Sequence, residues 1–185
     1  MTAPPFPAAA IAAARDSAKA HLRVENDGED ATIATHAESA LALAEAFLGC
    51  ALIIREWRAS IAGDGCWRRL AMAPVVAITA PDGVTIDIDA SGDGWARTPG
   101  SARVAVTYAA GLAGEWDLLP AAIRQGVVLL TAHLFNGRPD GAALPASVAA
   151  LWRPYRRIRL EAQRGSGTWR LQSRGLRANW ARCWG

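Results

Sequence analysis

One stretch, LPAAIRQGVVLLTAHLFNGR at 119–138, constrains the fold of this chain more than any other. Between Ile123 and Phe135 only four polar residues interrupt the apolar ones, so apolar side chains fall on most sides of a helix. A helix that is apolar nearly all round is normally buried. The stretch is also shorter than the roughly 20 apolar residues that a membrane span needs. It therefore predicts a central core helix, and we expect no contact with a membrane.

The ends of this helix are also marked in the sequence. Asp117 is suited to cap its start, and Pro120 suits the first turn, where a missing N–H loses no hydrogen bond. Asn136 and Gly137 are typical of a helix end. We predict a helix at 119–137, with four residues facing the core: Ile123, Val127, Leu130 and Leu134.

Three further helices are predicted from apolar residues at helical spacing. They lie at 8–22, at 30–48 with Asp30 as a candidate N-cap, and at 146–159 with a kink or break at Pro154. The first two are rich in alanine, which permits close approach of helices in a compact bundle or at a subunit contact.

Between the second and third of the four helices the pattern changes to alternation of apolar and polar residues, which indicates strands. Residues 51–60 and 67–72 alternate on either side of the turn at Asp64-Gly65, which predicts a hairpin. The residues between 91 and 100 are expected to form a loop. The remaining strands are predicted at 75–79, 84–89 and 103–108.

These elements predict an α+β fold class, namely a small bundle of about four helices with an inserted antiparallel β subdomain at 51–109 and an extended C-terminal tail. The bundle and its insertion form one domain at 1–160. The tail, 161–185, is rich in arginine, tryptophan and glycine and cannot bury a core alone.

Charge divides the chain in the same way. Residues 1–151 hold 11 Lys/Arg and 16 Asp/Glu, a net charge of −5, whereas residues 152–185 hold nine Arg and one Glu, a net charge of +8. A mildly acidic body with a basic tail is typical of a protein whose tail contacts an acidic protein surface or nucleic acid.

Catalytic chemistry has little support in the sequence. No GxSxG, phosphate-loop or dinucleotide motif is present, the three histidines are scattered, and the three cysteines are far apart. Asp87, Asp89 and Asp93 are close in sequence, but their spacing lacks the glycine and terminal glutamate of a calcium loop. We therefore expect a non-enzymatic protein with no cofactor and no metal.

The candidate binding residues lie in and just before the tail. Arginine pairs with carboxylates or phosphates through two parallel hydrogen bonds, and tryptophan anchors binding interfaces or stacks on bases. Spacing alone does not separate a protein partner from DNA. The candidates are Arg153, Arg156, Arg157, Arg164, Trp169, Arg170, Arg174, Arg177, Trp180, Arg182 and Trp184.

The order of these parts resembles the head–tail connector (adaptor) proteins of long-tailed bacteriophages, a family also found in phage-derived gene transfer agents. The similarity covers about 10–158, from AHLRV in the first helix to LPASVAALWRPYRR. Its most specific residues are Val106, Tyr108, Gly111, Pro120, His133 and Arg138, followed by Leu151, Tyr155 and Arg156. The tail is longer than the usual end of the family.

The resemblance implies a structural protein of the virion or phage-like particle, assembled in the host cytoplasm. Members form a ring of roughly twelve subunits, closed by head-to-tail contacts, between the portal and the tail-side stopper or tail terminator protein. Double-stranded DNA passes through the lumen without specific binding. Our hypothesis for the candidate tail residues is that they bind the portal. The alternative is a nucleic-acid-binding protein that uses the same tail on DNA.

Overall fold

The structure, a computed structural model, describes residues 3–137 and 144–157. Within these ranges the fold is α+β, as predicted, with helices on both sides of a β insertion. The four α-helices are α1 (Ala8–Leu22), α2 (Asp30–Leu48), α3 (Ala121–Phe135) and α4 (Ala146–Trp152). The six strands are β1 (Arg55–Ile61), β2 (Arg68–Arg69), β3 (Val75–Thr79), β4 (Thr85–Ile88), β5 (Gly94–Arg97) and β6 (Val104–Ala110).

Helices α1 and α2 begin and end where the sequence pattern predicted. They pack against each other through fully buried alanines, such as Ala14 on α1 and Ala37 on α2, whose small side chains let the backbones approach closely. The predicted N-cap of α2 is wrong by one residue. Glu29 occupies the cap and makes no side-chain capping hydrogen bond, whereas Asp30 is the first helical residue.

Helix α3 packs against α1, α2 and α4, so it is the central helix of the bundle. It runs from 121 to 135 and is shorter than the predicted 119–137, because Pro120 has an extended backbone and occupies the N-cap position. Asp117 does not cap it. This residue lies in a short 3₁₀ turn, where its carboxylate is 3.2 Å from the guanidinium of Arg124. No described helix is both long and apolar enough to cross a membrane.

Helix α4 is also shorter than the predicted 146–159. It ends at Trp152, and Pro154 then lies in a 3₁₀ turn at Arg153–Tyr155, because proline cannot donate the next helical hydrogen bond. Residues 158 and 159 of the predicted helix lie outside the described ranges.

The insertion consists of two three-stranded antiparallel sheets, in the orders β1–β6–β3 and β2–β5–β4. The predicted hairpin of 51–60 with 67–72 is wrong. Strand β1 pairs along its whole length with β6, and the two residues of β2 pair with β5. The predicted loop at 91–100 contains β5, which is the central strand of the second sheet. Short strands with a glycine at their start have too little alternation to be recognised in sequence.

The described residues have two hydrophobic cores, one among the helices and one between the sheets. They meet where the segment after β6 crosses the segment before β1. There the N–H of Ile54 donates to the carbonyl of Ala113 at 2.8 Å. A Cβ on Gly111 would lie 2.3 Å from the nitrogen of Ile54, so only glycine permits this crossing.

Candidate functional site

Only three of the eleven candidate tail residues, Arg153, Arg156 and Arg157, lie in the part of the chain that the structure describes. They form a segment that we call the tail root, 153–157. The other eight candidates lie outside it: Arg164, Trp169, Arg170, Arg174, Arg177, Trp180, Arg182 and Trp184.

Arg157 is bound to the body of the protein at both of its ends. Its backbone N–H donates to the carbonyl of Leu48, the last residue of α2, at 2.8 Å. Its guanidinium donates to the carbonyl of Ser91, and its Nη1 lies 3.9 Å from a carboxylate oxygen of Asp93. The tail root is therefore held at the junction between the helical bundle and the second sheet.

Arg156 also contacts the body, whereas Arg153 does not. The guanidinium of Arg156 lies over the ring of Phe47, 5.4 Å from its centroid, which is a cation–π distance. Arg153 is exposed, and no ion pair to it is present within the described ranges. Two of the three described candidates thus position the base of the tail, and Arg153 is the one with its charge presented to solvent.

The four predicted core residues of α3 lie as their spacing indicates. Ile123 and Val127 are fully buried, Leu130 is buried, and Leu134 is half-buried against the helical core. They pack in or against the helical core and so position α3.

The three aspartates considered for a metal site have other partners. The carboxylate of Asp89 accepts hydrogen bonds from the backbone N–H groups of Ser91 and Asp93, from the Ser91 hydroxyl and from the indole of Trp95. The hydrogen bonds from Ser91 and Trp95 hold the pKa of Asp89 well below its ordinary value. Asp93 lies between Arg69 (3.6 Å) and Arg157 (3.9 Å). Asp89 therefore shapes the β4–β5 loop against which the tail root lies.

A groove with a volume of about 770 Å³ lies between β1 and β2, each at the edge of its sheet. Four arginines line it: Arg58, Arg68, Arg69 and Arg103. We call it the arginine groove. Alanines, Ser60 and Ile61 form the rest of its lining, and no acidic side chain is among them. Sequence analysis missed this site because its arginines are spread over 46 positions, on β1, on β2 and just before β6, and only the tertiary fold brings them together.

A second charged surface lies at the turn between α1 and α2, at 25–30, which we call the acidic loop. Four of its six residues are acidic: Glu25, Asp27, Glu29 and Asp30. Lys19 makes ion pairs with Asp27 and Asp30, and its pKa is raised mainly by the hydrogen bond that it donates to the carboxylate of Asp30. Glu25 and Glu29 are exposed and make no ion pair within the described ranges.

Strand β4 presents an apolar face. Its four residues are all exposed, and Ile86 and Ile88, two apart, lie on the same face. It is also the edge strand of its sheet, and an unpaired edge is suited to contact with another chain.

The surface after β6 carries Leu118, the most exposed large apolar residue of the described chain.

The fold of this protein is similar to that of chains in solved gene transfer agent (GTA) particles. A chain in the neck of an empty GTA particle, computed with C6 symmetry, has a TM-score of 0.70 and 26% identity, covering 89% of this chain and 100% of that one. This protein is similar to a neck component of a phage-like particle. A chain in the neck of the native particle, computed with C12 symmetry, has a TM-score of 0.64 and 28% identity over 89% and 100% of the two chains. A chain in the virion of the native particle matches with the same TM-score and identity, over 89% and 97%.

No protein-family model and no curated protein matches the sequence. The similarity to the particle chains therefore depends on the fold together with an identity of 26–28%. It extends over nearly the whole chain, so it includes the helical bundle and the β insertion together.

Proposed function

We propose that this protein is a structural head–tail connector, which forms a ring between the portal and the tail-side stopper or tail terminator protein of a phage-like particle. The observation that carries the proposal is the similarity to a complete chain of a GTA neck, with a TM-score of 0.70 over 89% of this chain. A ring of about twelve subunits agrees with the C12 symmetry used for one of those necks. We propose assembly in the host cytoplasm.

Passage of DNA through such a ring agrees with the charge of the body. Residues 1–151 carry a net charge of −5. A negatively charged wall of the lumen repels the phosphates of DNA, so it does not bind the DNA and hinder its sliding. Double-stranded DNA would therefore pass through the lumen without being held. The role is structural and requires no catalytic group.

The tail is the part that we assign to the portal. The tail root is held on the body by Arg157 and Arg156, so the residues after it start from a defined place at the end of α2. The arginines and tryptophans that follow suit paired hydrogen bonds and buried anchors on a protein surface. In a ring, many copies of a modest contact act together, which multiplies the strength of attachment.

The test mixes the purified protein with its cognate portal and images the product by electron microscopy. Three chains are compared: the full chain, a chain ending at Arg157, and a full-length chain with Trp169, Trp180 and Trp184 changed to alanine. The shortened chain keeps the contacts of the tail root, so it tests the tail and leaves the body intact. The alanine variant keeps the length and charge of the tail.

A ring stacked on the portal with the full chain, and lost with the other two, is the expected result. A ring that survives removal of the tail would keep the connector role and overturn the role of the tail. No ring with the full chain would overturn the connector itself.

A nucleic-acid-binding protein is the second candidate, favoured by the net charge of +8 in residues 152–185. Its signature is an affinity for any DNA sequence that falls steeply with salt, because phosphate contacts release counterions. An anchor of tryptophans in a protein pocket would lose less affinity over the same range of salt. Titrating labelled duplex DNA at two salt concentrations separates the two.

A further inference from the structure

The arginine groove lies in a body that is otherwise acidic. It holds four of the 11 basic residues within residues 1–151, a region whose net charge is −5. Such a concentration of positive charge on one surface favours an acidic partner. The open edges of β1 and β2 on either side give the groove the shape of a trough for an extended segment.

Two of the four groove arginines, Arg58 and Arg103, are available to a partner, whereas Arg68 makes an ion pair with Asp64. Arg103 is exposed and makes no ion pair within the described ranges. Arg58 is 3.2 Å from Glu56, but its side chain is 80% exposed, and an exposed pair of this kind contributes little and exchanges readily. Arg69 is 3.6 Å from Asp93. A carboxylate that enters the groove can therefore pair with at least two arginines, Arg58 and Arg103, which make no strong ion pair within the described ranges.

The acidic loop is the densest run of acidic residues in the described sequence, and it lies at the end of α2 that is distant from the start of β1. Arg55, at the start of β1, binds Glu45 in the last turns of α2, and the groove lies further along β1. The acidic loop ends at Asp30, the first residue of α2, and this helix has 19 residues and so is about 28 Å long. No ion pair joins the two surfaces within one described chain.

We propose that the arginine groove of one subunit receives the acidic loop of the next. Two different surfaces of the subunit form a head-to-tail contact, which closes into a ring when the rotation between neighbours allows it. Glu25 and Glu29, exposed and unpaired in the described chain, would meet Arg58 and Arg103. The inference rests on the proposed ring and names the contact that builds it.

A charge exchange tests this contact. One variant carries Arg58→Glu with Arg103→Glu, a second carries Glu25→Arg with Glu29→Arg, and a third combines all four changes. Ring assembly on the cognate portal is titrated and counted by electron microscopy. A control with Glu38→Arg and Asp82→Arg, two exposed acids outside the loop, makes the same change of charge as the second variant.

Each of the first two variants is expected to raise the protein concentration needed for ring assembly by about tenfold or more, because each places like charges across the contact. The combined variant is expected to restore most of the loss, whereas the control stays near the wild type. If none of the charge variants alters ring assembly, and all of them form normal rings on the portal, the groove contact is overturned. The connector role would then still stand.

Cross-linking provides a second measurement, which is made both in solution and on the portal. Arg103→Cys and Glu29→Cys are combined in a chain with Cys183→Ser, while Cys50 and Cys66 are buried and remain. Oxidation is expected to produce a ladder of covalent oligomers, absent from each single-cysteine chain. No ladder, either in solution or on the portal, would overturn the pairing.

Contact of the same groove with DNA is the other outcome that the variants distinguish. In that case Arg58→Glu with Arg103→Glu lowers salt-sensitive DNA binding, and the changes in the loop do not rescue it. That result would overturn the subunit contact. A wild-type protein that forms no ring would instead overturn the proposed function, and the cross-link would still decide whether two copies pair.

Discussion

The indole ring of Trp152 lies directly on Gly126, in the space that a side chain at Gly126 would occupy. A Cβ at this position would be 2.1 Å from the indole nitrogen, which donates a hydrogen bond of 3.2 Å to the carbonyl of Ile123. Trp152 is fully buried in the helical core. This contact fixes α4 on α3, and α4 leads directly into the tail root.

Gly126→Ala should therefore destabilise the protein, although alanine is normally the better helix former by about 1 kcal/mol. The clash with Trp152 should exceed that gain, since overpacking a core costs about 1–3 kcal/mol and a 2.1 Å contact cannot be relieved without moving α4. Urea unfolding measures the change. Gln125→Ala, at an exposed position of the same helix, should be neutral or slightly stabilising. A Gly126→Ala protein more stable than the wild type would contradict the packing.

The buried ion pair of Glu45 and Arg55 leads to a second prediction. The two side chains are only 9% and 6% exposed, and two hydrogen bonds of 2.7 Å join them. The guanidinium also lies 4.3 Å from the ring centre of Phe6 and 4.6 Å from that of Trp57. Arg55→Met leaves a buried carboxylate without its cation, so the free energy of unfolding should fall by about 3–5 kcal/mol.

Arg58→Met is the matched control for this change, because Arg58 is exposed on the same strand. It should alter the free energy of unfolding by less than about 1 kcal/mol. Equal losses in the two variants would show that the Glu45–Arg55 pair contributes nothing beyond an exposed residue of β1.

The third prediction concerns pH. The carboxylate of Asp89 accepts four hydrogen bonds, and its pKa in the folded protein is lowered relative to the unfolded chain. The stabilisation is therefore fully present above the unfolded pKa of about 3.9 and is lost as pH falls through the folded pKa. Asp89→Asn should be less stable than the wild type at neutral pH, and the difference should shrink below about pH 3.9. Unfolding curves at several pH values measure it.

Asp87→Asn serves as the control for the pH series. Asp87 is exposed on β4 and accepts no hydrogen bond from any described residue, so its change should leave the pH dependence nearly unaltered. A difference between wild type and Asp89→Asn that stays constant with pH would be inconsistent with the role of this carboxylate.

The fourth prediction concerns the tail root. Arg157→Ala removes the hydrogen bond to Ser91 and the approach to Asp93, whereas Arg153→Ala removes an exposed charge. The backbone amide at position 157 donates to the carbonyl of Leu48, and its hydrogen exchange should become faster in the first variant and stay unchanged in the second. Unchanged exchange in both would mean that the guanidinium does not hold the tail root.

The sequence predicted the helices of this protein better than it predicted the pairing of the strands. The bounds of α1 and α2 follow from local signals, since alanine and leucine recur at helical spacing and Gly49 follows the end of α2. The partner of β1 did not follow, because alternation shows that a segment is a strand and not which strand it joins. Arg55 pairs in register with Ala110, 55 residues away, and the nearer segment at 67–72 was the wrong partner.

The candidate site shows the same division. Sequence composition alone located the charge of the tail and the apolar character of α3, because both are properties of contiguous residues. Only the tertiary structure brought Arg58, Arg68 and Arg103 to one groove, and only it showed that Arg157 holds the tail root on α2. Contacts between distant segments depend on how the chain packs, and single residues such as Gly111 and Gly126 decide that packing through the space they leave empty.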